Sequence, residues 1–282
     1  MDKTAFKTNP YENLYIYYFE GTFQKDLTDL HGNNFIGNWE EDGYSFLFFS
    51  SPLDDSFVEN LIIKNPDLHF IDKYEMTCEQ WHGNKIESYT TGVFSISPPW
   101  KIPFINNPDL KQILLDPGVV FGTGRHPTTE DCLGYIEQLC TEKQISRVVD
   151  IGTGTGLLSL GAAALGCEKI LALDFNFLAV KTALNNVRLN GFEDKIIAIQ
   201  ARAEDFISLP ADLVIANIHY DIMKEILKDK TFLNKKYFIL SGLLKSETEK
   251  IFSELKKKPV EIIDHSCPDG VWNTIFGKSE NI

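Results

Sequence analysis

From residue 147 onward, short apolar runs alternate with helical patterns, and few folds accommodate that alternation. The runs lie at 148–151, 170–174, 196–199, 212–216 and 237–241. Runs this short and this continuously apolar suit parallel strands covered on both faces. Between them, Phe177, Val180, Leu184 and Val187 recur at helical spacing, and Asn190-Gly191 reads as a helix stop. Ser246-x-x-Glu249 reads as a capping box ahead of Ile251, Phe252 and Leu255. The end differs: 260–265 and 271–276 flank Pro268-Asp269-Gly270, so they pair as an antiparallel hairpin. The expected fold is α/β, a Rossmann-like doubly wound sheet closed by a C-terminal hairpin.

The first third has another rhythm. Residues 11–19, 35–39, 44–49 and 68–76 read as strands, with the Asp42-Gly43 step as a hairpin turn. Residues 21–30 and 54–64 read as helices, the second with Phe57, Val58 and Leu61 on one face. This β-α-β-β-α-β order predicts a small α+β, ferredoxin-like domain over 1–88. Residues 85–115 read as a linker and lead-in, stiffened by Pro98, Pro99, Pro103 and Pro108. The second domain is expected over 89–282.

Composition excludes several classes. No apolar run reaches the roughly 18 residues of a membrane span, and the N-terminus lacks a signal-peptide stretch. The five cysteines have no metal-ligand spacing and read as reduced thiols of a cytoplasmic protein. The net charge of −13 argues against a broad nucleic-acid surface. Residues 1–88 hold sixteen acidic and six basic side chains, a net of −10. Such a field steers basic partners, although plain solubility accounts for it equally well.

The chemistry centres on Val148-Val149-Asp150-Ile151-Gly152-Thr153-Gly154-Thr155-Gly156-Leu157, a strand, a glycine turn and a helix start. Ligands of such sheets bind at the carboxyl ends of the strands. A dinucleotide fingerprint needs glycine where Leu157 stands. Asp150 just before the loop would repel a pyrophosphate, and it suits the cationic S-adenosylmethionine. Asp174, 18 residues after Gly156, ends the next strand and suits ribose hydroxyls, as in dinucleotide enzymes too. Glu204, after the third strand, stands where an adenine amino group is expected. Asp150, Gly152, Gly154, Gly156, Asp174 and Glu204 are therefore the expected cofactor residues.

Asp116-Pro117-Gly118-Val119-Val120-Phe121-Gly122-Thr123-Gly124-Arg125-His126-Pro127-Thr128-Thr129 resembles the signature of the PrmA family, bacterial methyltransferases of large-subunit ribosomal protein eleven. Ala216-Asn217-Ile218 and Ser241-Gly242-Leu243 share the resemblance, which covers about residues 93–277. It implies a class I methyltransferase fold, trimethylation of lysine side chains and an α-amine, and an N-terminal domain that grips a basic ribosomal protein. Two departures stand out. Arg125 replaces an expected Thr or His, and the loop reads Gly-Thr-Gly-Thr-Gly where Gly-Cys-Gly-Ser-Gly is commoner.

Methyl transfer to an amine needs alignment, desolvation and a neutral nucleophile. Asn217 can accept from that amine and orient its lone pair, a role the resemblance supports; the reading places it against the cofactor too. Thr123 can bond the cofactor's amino-acid end or the incoming amine. Phe121 either walls off the methyl group or packs in the core. His126 reads as a histidine fixing its loop, Thr128-x-x-Asp131 as a helix cap, and His219 and Tyr220 as entrance residues. The function expected is methylation of protein amines. The alternatives are another protein, RNA or a small-molecule amine as substrate, or a cofactor-binding relative without turnover.

Overall fold

The Asp42-Gly43 step reverses the chain with both residues at positive φ, 51° and 84°, as a two-residue hairpin turn requires. It joins β2 (Phe35–Glu41) to β3 (Tyr44–Phe49) in a computed structural model that describes residues 9–23, 34–103 and 107–280. The chain divides into two units, residues 1–86 and 87–282. In the first, β1 (Asn13–Glu20) lies between β3 and β4 (His69–Thr77), giving the order β2-β3-β1-β4 with every neighbouring pair antiparallel. Helix α1 (Asp55–Lys64) packs Leu61 with Tyr17, Phe19, Leu47 and Phe49 on one face of that sheet. The helix expected over 21–30 falls largely outside the described residues. A short helix not expected from the sequence, α2 (Cys78–His82), is fixed by a reciprocal box: Gln80 N–H donates to Thr77 Oγ1 and Thr77 N–H to Gln80 Oε1.

The main sheet of the second unit has seven strands: β8 (Arg147–Ile151), β9 (Lys169–Asp174), β10 (Ile196–Gln200), β11 (Ala211–Asn217), β12 (Lys235–Leu244), β13 (Val260–Ser266) and β14 (Trp272–Ser279). Their order is β10-β9-β8-β11-β12-β14-β13, parallel through β12, with β14 antiparallel to both of its neighbours. Five longer helices cover it: α3 (Pro127–Glu142), α4 (Leu157–Ala164), α5 (Phe177–Asn190), α7 (Tyr220–Lys228) and α8 (Lys245–Leu255), with the short α6 (Ala203–Phe206) after β10. Strand β11 shows why its middle, residues 213–216, is apolar without a break. Leu213 and Ile215 enter the core under α3, α4 and α5, while Val214 and Ala216 enter the core under α7 and α8.

Residues 85–115 differ from the expected linker. They fold as β5 (Tyr89–Thr91), β6 (Phe94–Ser97) and β7 (Lys111–Leu114), a three-stranded sheet whose Phe94, Ile96 and Ile113 are buried in the larger core. Pro98, Pro99, Pro103 and Pro108 fall between β6 and β7 and interrupt none of these strands. Two caps also shift. Helix α8 starts at Lys245, before Ser246, because Glu247 accepts the Leu244 N–H at 2.8 Å. Helix α3 is capped by His126, whose ring accepts from Thr128 N–H, so Thr128 lies inside the helix.

Candidate active site

Strand β8 is the point where the sheet reverses direction, since β9 lies on one side of it and β11 on the other. A crevice at the carboxyl ends of strands is expected there. Those ends carry Asp150, Asp174 and Asn217.

Asp150 is buried, and its Oδ2 accepts from the Thr153 hydroxyl at 2.6 Å and the Ser159 hydroxyl at 2.7 Å. Its other oxygen, Oδ1, is buried with no hydrogen-bond partner among the described residues. An unsatisfied buried carboxylate oxygen is costly, and this one keeps its acceptor capacity unused. Burial pushes its carboxyl above the usual carboxylate range, opposed by the two hydroxyls.

The loop itself is shaped by close approach. Gly152, Gly154 and Gly156 all have positive φ. A side chain at Gly152 would collide with Ile218, which follows β11. One at Gly154 would lie 2.9 Å from the Phe121 carbonyl oxygen, and one at Gly156 would crowd Ala183 of α5. Gly156 therefore serves helix packing, Gly152 makes room for the Ile218 side chain, and Gly154 lets the Phe121 backbone reach the loop. Asp174 holds the same loop from the side. It accepts Gly154 N–H at 3.0 Å and Asn176 N–H at 2.9 Å, one on each oxygen, which leaves acceptor capacity on both. Burial raises its pKa as well, against those backbone donors.

The segment 121–124 lies against this loop. Thr155 donates its hydroxyl to the Gly122 carbonyl at 2.8 Å, and the Tyr89 hydroxyl donates to the Thr123 carbonyl at 3.1 Å. Phe121 is 66% exposed, which removes the core-packing reading and leaves its ring at the site's rim. Arg125 turns outward: its guanidinium lies 4.6 Å from the Tyr89 ring centre and donates to the Glu87 carbonyl. The cation that replaces an expected Thr or His is thus held by those two partners.

Asn217 closes the constellation. Its Nδ2 donates to Thr128 Oγ1 at 3.2 Å, and Thr128 Oγ1 lies 2.7 Å from His126 Nδ1. His126 meets the ring of Phe121 at 5.7 Å and that of Trp272 at 5.2 Å, both edge to face. Burial lowers the His126 pKa, opposed by the Asp269 carboxylate. Gly242, at φ 85°, is glycine because a side chain there would press on Ile218 O and on Asn217 Oδ1.

The structure thus joins Asp150, the glycine loop, Asp174, the 121–124 segment and Asn217. It does not join Glu204, which is exposed in α6 with no hydrogen bond to the others among the described residues. Nor does it bring in Tyr220, which lines a groove of about 310 Å³ along α7 and α8 with the Lys250 ammonium 5.2 Å from its ring centre. His219 is an exposed cap position of α7. Three residues were missed. Asn186 is fully buried and bonds both Asp116 and the Thr155 carbonyl, so α5 ties the lead-in to the loop. Ser159 completes the Asp150 pair, and Trp272 meets the site from β14. An Asn at i and i+4 on α5, Asn186 and Asn190, was the available signal, since Asn190 likewise bonds Leu114.

Comparison with known proteins places this arrangement. The profile of one family, described as "Ribosomal protein L11 methyltransferase (PrmA)", matches residues 58–280. A ribosomal protein L11 methyltransferase of Staphylococcus epidermidis is 36% identical over 187 residues, 66% of this chain and 59% of the relative. That of Staphylococcus saprophyticus is 35% identical over 219 residues, 75% of this chain and 69% of the relative. The match thus spans about three-fifths of the first relative's length. A crystal structure of a ribosomal protein L11 methylase from Lactobacillus delbrueckii subsp. bulgaricus superposes with a TM-score of 0.61 at 26% identity, covering 69% of this chain and all of that one. The sheet order, the strand-end acids and the matched span agree: the chain belongs to the ribosomal protein L11 methyltransferase (PrmA) family.

Proposed function

We propose that the protein transfers methyl groups from S-adenosylmethionine to amines of a protein, lysine side chains or an α-amine, and that its substrate is ribosomal protein L11. The observation that carries this reading is the orientation of Asn217. With Nδ2 given to Thr128, its Oδ1 is the atom left to accept from an incoming amine at the crevice. S-adenosylmethionine, when bound, supplies an electrophilic methyl group and its own leaving group. The chain's residues fit that cofactor: Asp150 Oδ1 has no donor among the described residues, and Asp174 retains acceptor capacity. Asp150, Gly152, Gly154, Asp174 and Thr123 would hold the cofactor. Asn217 orients the amine and holds one of its protons by hydrogen bonding, while Phe121 helps to exclude water. A lysine amine must reach this crevice neutral, and partial desolvation beside a cation favours that form.

The first unit is proposed to dock the substrate. Its acidity suits a basic protein, and its sheet presents Tyr18 stacked on Phe46 at 4.5 Å beside the exposed Tyr44. No helix among the described residues is long and apolar enough to cross a membrane. A cytoplasmic location and a partner set without nucleic acid belong to the same proposal. Incubation with labelled S-adenosylmethionine and separated ribosomal protein and RNA fractions tests it. Label is expected in protein L11; label confined to RNA would defeat the reading.

A further inference from the structure

We propose that His126, acting through the Thr128 hydroxyl, sets the amide orientation of Asn217, and that protonating its imidazole withdraws the acceptor the substrate amine needs. The inference rests on the proposed amine-accepting role of Asn217 and adds control over it. The argument starts from donors whose direction is fixed. Thr128 N–H points at His126 Nδ1 at 3.4 Å, and a backbone N–H can only donate. Nδ1 therefore carries the lone pair and the ring proton sits on Nε2. The Thr128 hydroxyl, 2.7 Å from the same nitrogen, must then give its single hydrogen to it. Toward Asn217 that hydroxyl can only accept, so the amide presents Nδ2 to it at 3.2 Å and Oδ1 is turned elsewhere. Three residues on two elements thus fix which end of one amide faces the crevice.

A proton on Nδ1 takes this acceptor from the Thr128 N–H and reverses the two bonds made by the Thr128 hydroxyl. The ring becomes the donor, Thr128 Oγ1 accepts from it, and the hydroxyl hydrogen is released toward Asn217. An amide flipped to receive that hydrogen has spent its Oδ1. The surroundings favour the neutral ring. From β14 the Trp272 ring lies 5.2 Å away, and Phe121 lies 5.7 Å away from the lead-in side. Burial lowers the ring's pKa, and Asp269 in the β13–β14 turn is the charged group that opposes this. The other charges nearby are Glu130, an exposed residue of the first turn of α3, and Arg125, the chain neighbour held at Tyr89 and Glu87. His126 is a positioning residue in this scheme, since it reaches the amine only through Thr128 and Asn217.

Asparagine places an oxygen near where Nδ1 stands, accepts the same two bonds and caps helices well, yet does not titrate. His126→Asn is therefore the informative variant and His126→Leu its counterpart. In the isotopically labelled full-length protein, the Asn217 side-chain amide resonance is expected to move with the His126 imidazole titration. Turnover of the wild type should show an acid limb at that same pH, over and above the limb from the substrate amine. His126→Asn should lose the His126 limb and restore turnover to within about threefold of wild type above neutral pH. His126→Leu should lose about tenfold in kcat with cofactor affinity unchanged. An Asn217 amide indifferent to the His126 titration, or a His126→Asn enzyme that keeps the wild-type acid limb, overturns the proposal. If Asn217→Ala loses turnover in that same series, the proposed function stands while the relay falls. If Asn217→Ala turns over normally while the amide still follows the titration, the relay stands and the amine-accepting role of Asn217 falls.

Discussion

Asp174 accepts one bond from a loop glycine and one from its own helix cap, and keeps acceptor capacity for a ligand. Replacing it with alanine removes the two acceptors proposed for the ribose, together with a tie on Gly154. The expected loss of affinity for S-adenosylhomocysteine is about 2–4 kcal/mol, with the thermal transition little changed. Calorimetry on the full-length variant measures it, and wild-type affinity would move the ribose contact elsewhere. At this scale the acids were legible because each ends an apolar run whose direction the sequence already gives. Asn217 was legible through its place after the fourth run and the family signature. The rest depends on partners far along the chain. Trp272 is 146 residues from His126, and nothing local marks the pair. Glu204 follows the third strand where the sequence puts it, and its side chain is exposed in the short α6.

At the scale of elements, strand boundaries followed hydrophobic periodicity, while caps and short strands did not. His126 is not among the common cap residues, and Leu244 has no side-chain acceptor, so the true starts of α3 and α8 were hidden by better-looking neighbours. Strands β5, β6 and β7 are three or four residues long, too short to show a period. Lys235 at the head of β12 illustrates an element-level cost. Its side chain is fully buried, its ammonium donates to the Thr231 carbonyl at 3.2 Å, and burial pulls its pKa down to about 8 from 10.5. Between those two values the unfolded chain keeps a proton that the native chain has shed. Stability should therefore rise with pH across that window. Lys235→Met should raise stability by about 1–2 kcal/mol near neutral pH and flatten that rise. Urea denaturation at several pH values reads both effects, and a destabilised variant would show that the ammonium is better satisfied than one carbonyl implies.

Over the whole molecule, charge and chemistry are separated. Residues 1–88 carry a net of −10 of the chain's −13, whereas each residue placed in the site lies beyond 120. The two units have cores of their own, the smaller one around Phe19, Leu47 and Phe49. Residues 87–282 alone should thus bind cofactor nearly as the intact chain does, while methylation of an intact protein substrate falls sharply, because remote docking holds the flexible amine in place. Added salt should weaken the intact enzyme's substrate binding, exposed charges being screened beyond about 10 Å at 0.1 M. A truncated form as fast as the intact one would reduce the acidity to solubility. The most direct test of the account is mass spectrometry of L11 incubated with the enzyme and S-adenosylmethionine carrying a deuterated methyl group. The account predicts whole-number additions of the labelled methyl, localised to lysine side chains or the α-amine and absent with Asn217→Ala. Label on non-amine side chains, or none on the protein while a nucleic acid or small amine takes it up, would contradict it.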